Sequence, residues 1–191
     1  GNPRGKLIFP CGAGKSLTGY WLIGELASKR TVIAVPSLAL VKQTLEIYLR
    51  ESVAHNKHVK WLCICSDEGI GKSDDVVIHT EEIGVPCRTD QDYIEQWLQN
   101  HQHQELIIFT TYQSGRLIAE ASKKLDFTFD VGIFDEAHKT AGSEKKTFSH
   151  LLFQDNIAIN KRVFMTATER FYQGSRDCLL YTSDAADDVR G

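Results

Sequence analysis

Apolar and polar positions along this chain fall into two alternating patterns. Short, nearly continuous apolar runs occur at 7–9, 31–35, 59–65, 106–110, 127–135 and 162–166. Runs of this length suit strands buried on both faces of a sheet. Between them, apolar residues recur at helical spacing over 17–27, 38–51, 90–99, 112–124 and 143–153. In the first of these, Leu17, Tyr20, Trp21, Leu22, Ile23, Leu26 and Ala27 mark a helix pressed against a sheet. Pro36 closes the second run, Ser37 stands where it can cap the next helix, and Asp90 or Asp92 can cap the third. Strands separated throughout by helices predict an α/β fold, a mostly parallel central sheet with helices on both faces.

Two stretches break the alternation. Residues 66–90 hold Gly69, Gly71, Gly84, Pro86 and several acids around one short apolar run at 76–78, which predicts a surface excursion with at most one small strand. Residues 178–191 continue no strand–helix alternation and their end is small, acidic and closed by Gly191, so the ordered domain is predicted over 1–177. The remainder reads as a tail, either a disordered native one or a non-native junction.

Composition adds limits. The 191 residues suffice for one sizeable domain, and 42% hydrophobic with 25% charged residues fits a globular chain. No apolar run approaches the roughly 18 residues needed to span a bilayer, and no signal-like segment opens the chain. Cys11, Cys63, Cys65, Cys87 and Cys178 form no CxxC pair, which reads as reduced thiols and a cytoplasmic location. Cys63 and Cys65 share one strand face and suit packing better than metal binding. His101 and His103 read as solvated loop residues. A net charge of -3 points to no nucleic-acid partner, yet phosphate contacts need only a local basic footprint.

Candidate chemistry concentrates at two places. Pro10-Cys11-Gly12-Ala13-Gly14-Lys15-Ser16 follows the first apolar run and opens the first helix. Such a loop turns backbone N–H groups toward an anion, Lys15 can reach β- and γ-phosphates, and Ser16 can offer its hydroxyl to Mg²⁺. The stricter motif has glycine where Phe9 stands, so an ordinary turn is the competing reading of the string alone. Gly69-Ile70-Gly71-Lys72-Ser73 repeats the pattern without a strand before it or a helix after it, and is a decoy. The second place is Asp135-Glu136-Ala137-His138, where a buried strand runs out. Asp135 can hold Mg²⁺, commonly through a water, and Glu136 can polarise an attacking water as general base.

With these motifs in place, the chain resembles the first RecA-like motor domain of superfamily 2 helicases and translocases. It is most similar to the DEAD/DEAH-box group that includes the helicase subunits of type I and type III restriction enzymes. The likeness covers about residues 5–175 and keeps the family's motif order; that family tolerates a non-glycine at position 9. His138-Lys139-Thr140-Ala141-Gly142 strengthens the restriction-type match. The resemblance implies a RecA-like P-loop NTPase fold, ATP and Mg²⁺ as cofactors, and hydrolysis coupled to movement along DNA, with RNA as the less favoured track. It implies catalytic roles for Lys15, Asp135 and Glu136, and nucleotide binding by Pro10 to Ser16. Ser16 and Asp135 would hold the metal. His138, Thr166 and Thr168 would couple nucleotide state to nucleic-acid binding.

Val35-Pro36-Ser37 and Thr110-Thr111-Tyr112-Gln113-Ser114 resemble nucleic-acid contact segments, which points to Pro36, Ser37, Thr111, Tyr112 and Gln113. On chemistry alone Ser37 is equally a helix cap and Tyr112 equally a packing aromatic. The family's motors work between two RecA-like domains, the second carrying an arginine finger, and carry an upstream adenine-reading segment. Neither is recognisable in this chain, so the expectation is a truncated motor, near-inactive alone. Nuclease or methyltransferase domains are further expected partners. The alternatives are a P-loop ATPase that acts on no nucleic acid, or an inactive nucleotide- or protein-binding module.

Overall fold

In the computed structural model the six apolar runs become six strands: β1 (Arg4–Ile8), β2 (Arg30–Val35), β3 (Lys60–Ile64), β4 (Leu106–Thr111), β5 (Phe129–Asp135) and β6 (Ile159–Thr166). The structure describes residues 4–10, 13–66, 85, 87–136 and 150–167. Among the described residues four α-helices lie between the strands: α1 (Lys15–Glu25), α2 (Leu38–Ala54), α3 (Gln91–His101) and α4 (Gly115–Lys124). A 3-10 turn, His150–Leu152, is the described part of the helix expected over 143–153. The short run at 76–78, the decoy at 69–73 and the tail at 178–191 lie outside the described residues.

All described strand pairs are parallel, in the order β1-β6-β5-β2-β4-β3. Successive side chains of a strand face opposite ways, so each strand feeds two cores. On one face Ile33, Val35, Phe109, Ile133 and Met165 meet Tyr20 and Ile23 of α1 and Val41, Leu45 and Tyr48 of α2. On the other, Val32, Ala34, Ile108, Phe134 and Phe164 meet Ile94 and Leu98 of α3 and Ile118 and Ala121 of α4. The expected mostly parallel sheet with helices on both faces is therefore the fold.

Local details explain the boundaries. Ser37 caps α2 by accepting the Leu40 N–H at 3.4 Å, and Asp90 caps α3 by accepting the Tyr93 N–H at 2.7 Å. The helix read as starting at 112 begins three residues later, because residues 112–114 form a turn. His101 is the last residue of α3, its Nδ1 2.7 Å from the Trp97 carbonyl and its ring 4.5 Å from the Trp97 ring, so it is not a free loop residue. Close approach of α1 and α2 depends on Gly19, where an added Cβ would lie 2.6 Å from Tyr48 Oη and 3.1 Å from Met165 Cε.

Candidate active site

Parallel strands present all their carboxyl ends at one edge of the sheet, where ligands bind in open α/β folds. Here that edge gathers the loop after β1, the acids after β5 and the end of β6. Because β6 lies between β1 and β5, its last residues separate the loop from the acids. Phe9 N–H donates to the Thr166 carbonyl at 3.0 Å, and Glu136 N–H donates to the Met165 carbonyl at 2.8 Å. The three strand ends are thus tied together by main-chain bonds.

Gly14 adopts φ 81°, a left-handed conformation that suits glycine, and directs the chain into α1. Lys15 and Ser16 consequently occupy the first turn of α1. Asp135 shares the strand parity of Val131 and Ile133, which lie in the α1/α2 core, and so points to the same side as Lys15. The Lys15 ammonium lies 3.2 Å from Asp135 Oδ1 and hydrogen-bonds Glu136 Oε1, closing a gap of 121 residues in sequence.

Glu136 is held in place from three directions. Its backbone takes φ 50°, a left-handed conformation costing a non-glycine residue on the order of 1–2 kcal/mol. Its amide is bonded to Met165, and its Oε1 accepts the Ala167 N–H at 3.2 Å as well as the Lys15 bond. The carboxylate therefore touches both Lys15 at the start of α1 and the segment after β6. The family resemblance assigns His138 a relay role toward the coupling segment; His138 and Thr168 lie outside the described residues, as do Cys11 and Gly12. Neither the left-handed Glu136 nor its Ala167 contact has a signal in the sequence.

The charges in this cluster are unequal. At Asp135 burial dominates and holds the carboxyl above its ordinary range, although the Lys15 charge pulls the other way. At Lys15 burial alone would lower the pKa, but the Glu136 hydrogen bond and the Asp135 charge outweigh it and raise it. Among the described residues, the buried Asp135 Oδ1 has no partner beyond the Lys15 ammonium at 3.2 Å. Ser16 Oγ lies 3.5 Å from Thr44 Oγ1 on α2, at the outer limit of a hydrogen bond. A serine hydroxyl and an incompletely satisfied carboxylate are hard oxygen donors, the set that suits Mg²⁺.

The other expected contact residues lie along the same edge. Ser37 has its side chain engaged in the α2 cap, and Pro36 is half-buried beside it. Thr111 is buried and its hydroxyl accepts the Ser114 N–H at 3.3 Å; Gln113 is exposed. Tyr112 is only 2% exposed, packs in the α3/α4 core and donates its hydroxyl to the Asp135 carbonyl at 2.9 Å. That placement fits the packing reading of Tyr112, and it braces the acid-bearing strand end from behind. Thr166, also buried, ends β6.

Comparison with known proteins agrees with this architecture. The profile of the family "Type III restriction enzyme, res subunit" matches residues 1–171. The chain belongs to this family. Its helicase motor likeness extends to the probable helicase A859L of African swine fever virus, 29% identical over 170 residues in the Tick/Malawi isolate. That match covers 88% of this chain and 17% of the relative. Among solved structures, the Type ISP restriction-modification enzyme LlaBIII bound to DNA is 27% identical with a TM-score of 0.73, covering 92% of this chain and 12% of that one. A nuclease-deletion mutant of the Type ISP enzyme LlaGI, in complex with a DNA substrate mimic, is 29% identical with a TM-score of 0.65 over 90% of this chain and 16% of that one. This chain therefore spans less than a fifth of the length of these relatives. None of its described helices is long and apolar enough to cross a membrane.

Proposed function

We propose that this chain is the nucleotide-binding half of an ATP-dependent DNA translocase or helicase of the restriction type. The observation that supports it most is the meeting of Lys15, Asp135 and Glu136 at the carboxyl edge of the sheet, with Ala167 bonded to the same Glu136 carboxylate. In this reading the loop amides from Pro10 to Ser16 hold the phosphates, and Lys15 exchanges its two carboxylates for phosphate oxygens. Ser16 and Asp135 would hold Mg²⁺, which when bound supplies charge stabilisation to the transferring phosphoryl group. Glu136 accepts the proton of the attacking water. Its bond to Ala167 joins that base to the segment assigned to coupling, with Thr166, Thr168 and His138 as relay residues.

DNA is the proposed track because both Type ISP relatives are described with DNA or its mimic. Pro36, Ser37, Thr111 and Gln113 are the proposed contact residues on this edge, with RNA as the alternative track. A second RecA-like domain and nuclease or methyltransferase units belong to the proposed whole protein, which would work in the cytoplasm. Burial of Tyr112 and the capping role of Ser37 favour keeping a second reading, an ATPase that acts on no nucleic acid.

Calorimetry with Mg·ATP is the first test: wild type should give a binding signal that Lys15→Ala loses, and equal binding by both would remove the nucleotide site. In a longer protein containing this domain, Glu136→Gln should lower kcat in a phosphate-release assay while ATP affinity stays within a few-fold. Binding of single-stranded DNA that weakens steeply with salt separates the motor from the second reading.

A further inference from the structure

We infer that Thr44, on α2, is a positioning residue for the metal-holding hydroxyl of Ser16, and this inference rests on the reading above. A serine hydroxyl has one proton and two lone pairs. When Ser16 turns a lone pair toward a cation, its proton must point away and needs an acceptor behind it. Among the described residues Thr44 Oγ1, at 3.5 Å, is the hydroxyl placed there.

Thr44 is otherwise an odd residue for its position. It sits on the inward stripe of α2 beside Val41, Leu45 and Tyr48, and is buried like them. No described hydrogen bond returns its hydroxyl to its own helix; the described partner is Ser16. A threonine there contributes a polar atom to an apolar face, and a β-branched side chain to a helix, without local benefit. Its distance to Ser16 is set by the next rung of the same helix contact. Ser16 and Gly19 are three residues apart on α1, Thr44 and Tyr48 four apart on α2, and the missing side chain at Gly19 lets Tyr48 close in. Asp135 is the rival acceptor, but its carboxylate faces Lys15 and no described bond joins it to Ser16.

The test measures ATP affinity of this chain with Mg²⁺ and in EDTA, and takes the ratio as the metal-linked gain. Thr44→Val, close to isosteric, should cut that gain by about three- to tenfold, the worth of one hydrogen bond, and leave the EDTA affinity unchanged. Thr44→Ser should restore it, and Thr44→Val should add nothing on a Ser16→Ala background. Equal loss with and without Mg²⁺ would make Thr44 a packing residue and overturn the inference, as would a full gain in Thr44→Val, which leaves Asp135 or water as acceptor. A wild-type chain with no metal-linked gain would instead overturn the reading of the whole site. Melting curves of each variant confirm that the fold is retained.

Discussion

Removing the Lys15 charge should destabilise the nucleotide-free chain, because that ammonium neutralises two adjoining carboxylates. Lys15→Met keeps the length and apolar stem but removes the cation beside Asp135 and Glu136, each only 9% exposed. At 3.2 Å a single ion pair is worth about 5 kcal/mol at an effective dielectric of about 20. Solvent reaching the lysine and relaxation of the acids reduce the net loss to about 1–3 kcal/mol. For a domain of this size that is a fall in Tm of about 2–12 °C at pH 7.

The pH dependence carries its own sign. Lys15 has a raised pKa when folded, so its stabilisation is complete below the ordinary value of 10.5 and is lost as pH rises through the higher folded value. Asp135 is also raised, chiefly by burial, so the folded chain binds that proton more tightly and its carboxylate costs stability at neutral pH. Without Lys15 it rises further. The Lys15→Met deficit should therefore shrink as pH falls through the folded Asp135 value toward 3.8. Adding Glu136→Gln should recover part of the loss, since it removes one negative charge and its repulsion on Asp135. Thermal melts of the four proteins between pH 5 and 8 decide the matter. A Lys15→Met melt within about 1 °C of wild type at pH 7, or a deficit that grows on acidification, would refute the ion cluster.

Three further outcomes are expected. Gly19→Ala forces a Cβ against Tyr48 Oη and Met165, so the overpacking should outweigh alanine's helix advantage by about 1–2 kcal/mol, read as a lower urea midpoint at unchanged slope. Tyr112→Phe strips the donor from the buried Asp135 carbonyl and should cost about 1–2 kcal/mol, while DNA affinity stays constant because the ring is buried. Gly14→Ala meets no steric obstacle at Cβ but must hold φ 81°, so it should lower stability by about 1–2 kcal/mol and weaken ATP binding in calorimetry.

The sequence by itself determined the elements and their kind. Apolar runs of strand length and helical spacing are local signals, and among the described residues they located six strands and four helices to within a few residues. It also marked Lys15, Asp135 and Glu136, since a glycine turn before a helix and paired acids after a strand are readable one segment at a time. Tertiary structure decided the order in which the strands pair. Placing β6 between β1 and β5 depends on pairing Arg162 with Arg4 at the far end of the chain as well as Ile159 with Phe129, and no local pattern encodes either. From that order come the Glu136 bonds to Met165 and Ala167, and with them a left-handed backbone that glutamate would not choose alone. Tyr112 and Thr44 were decided in the same way. An aromatic or a threonine at a strand end or on a helix suits surface and core equally until its neighbours arrive, and here the packed helices enclosed both.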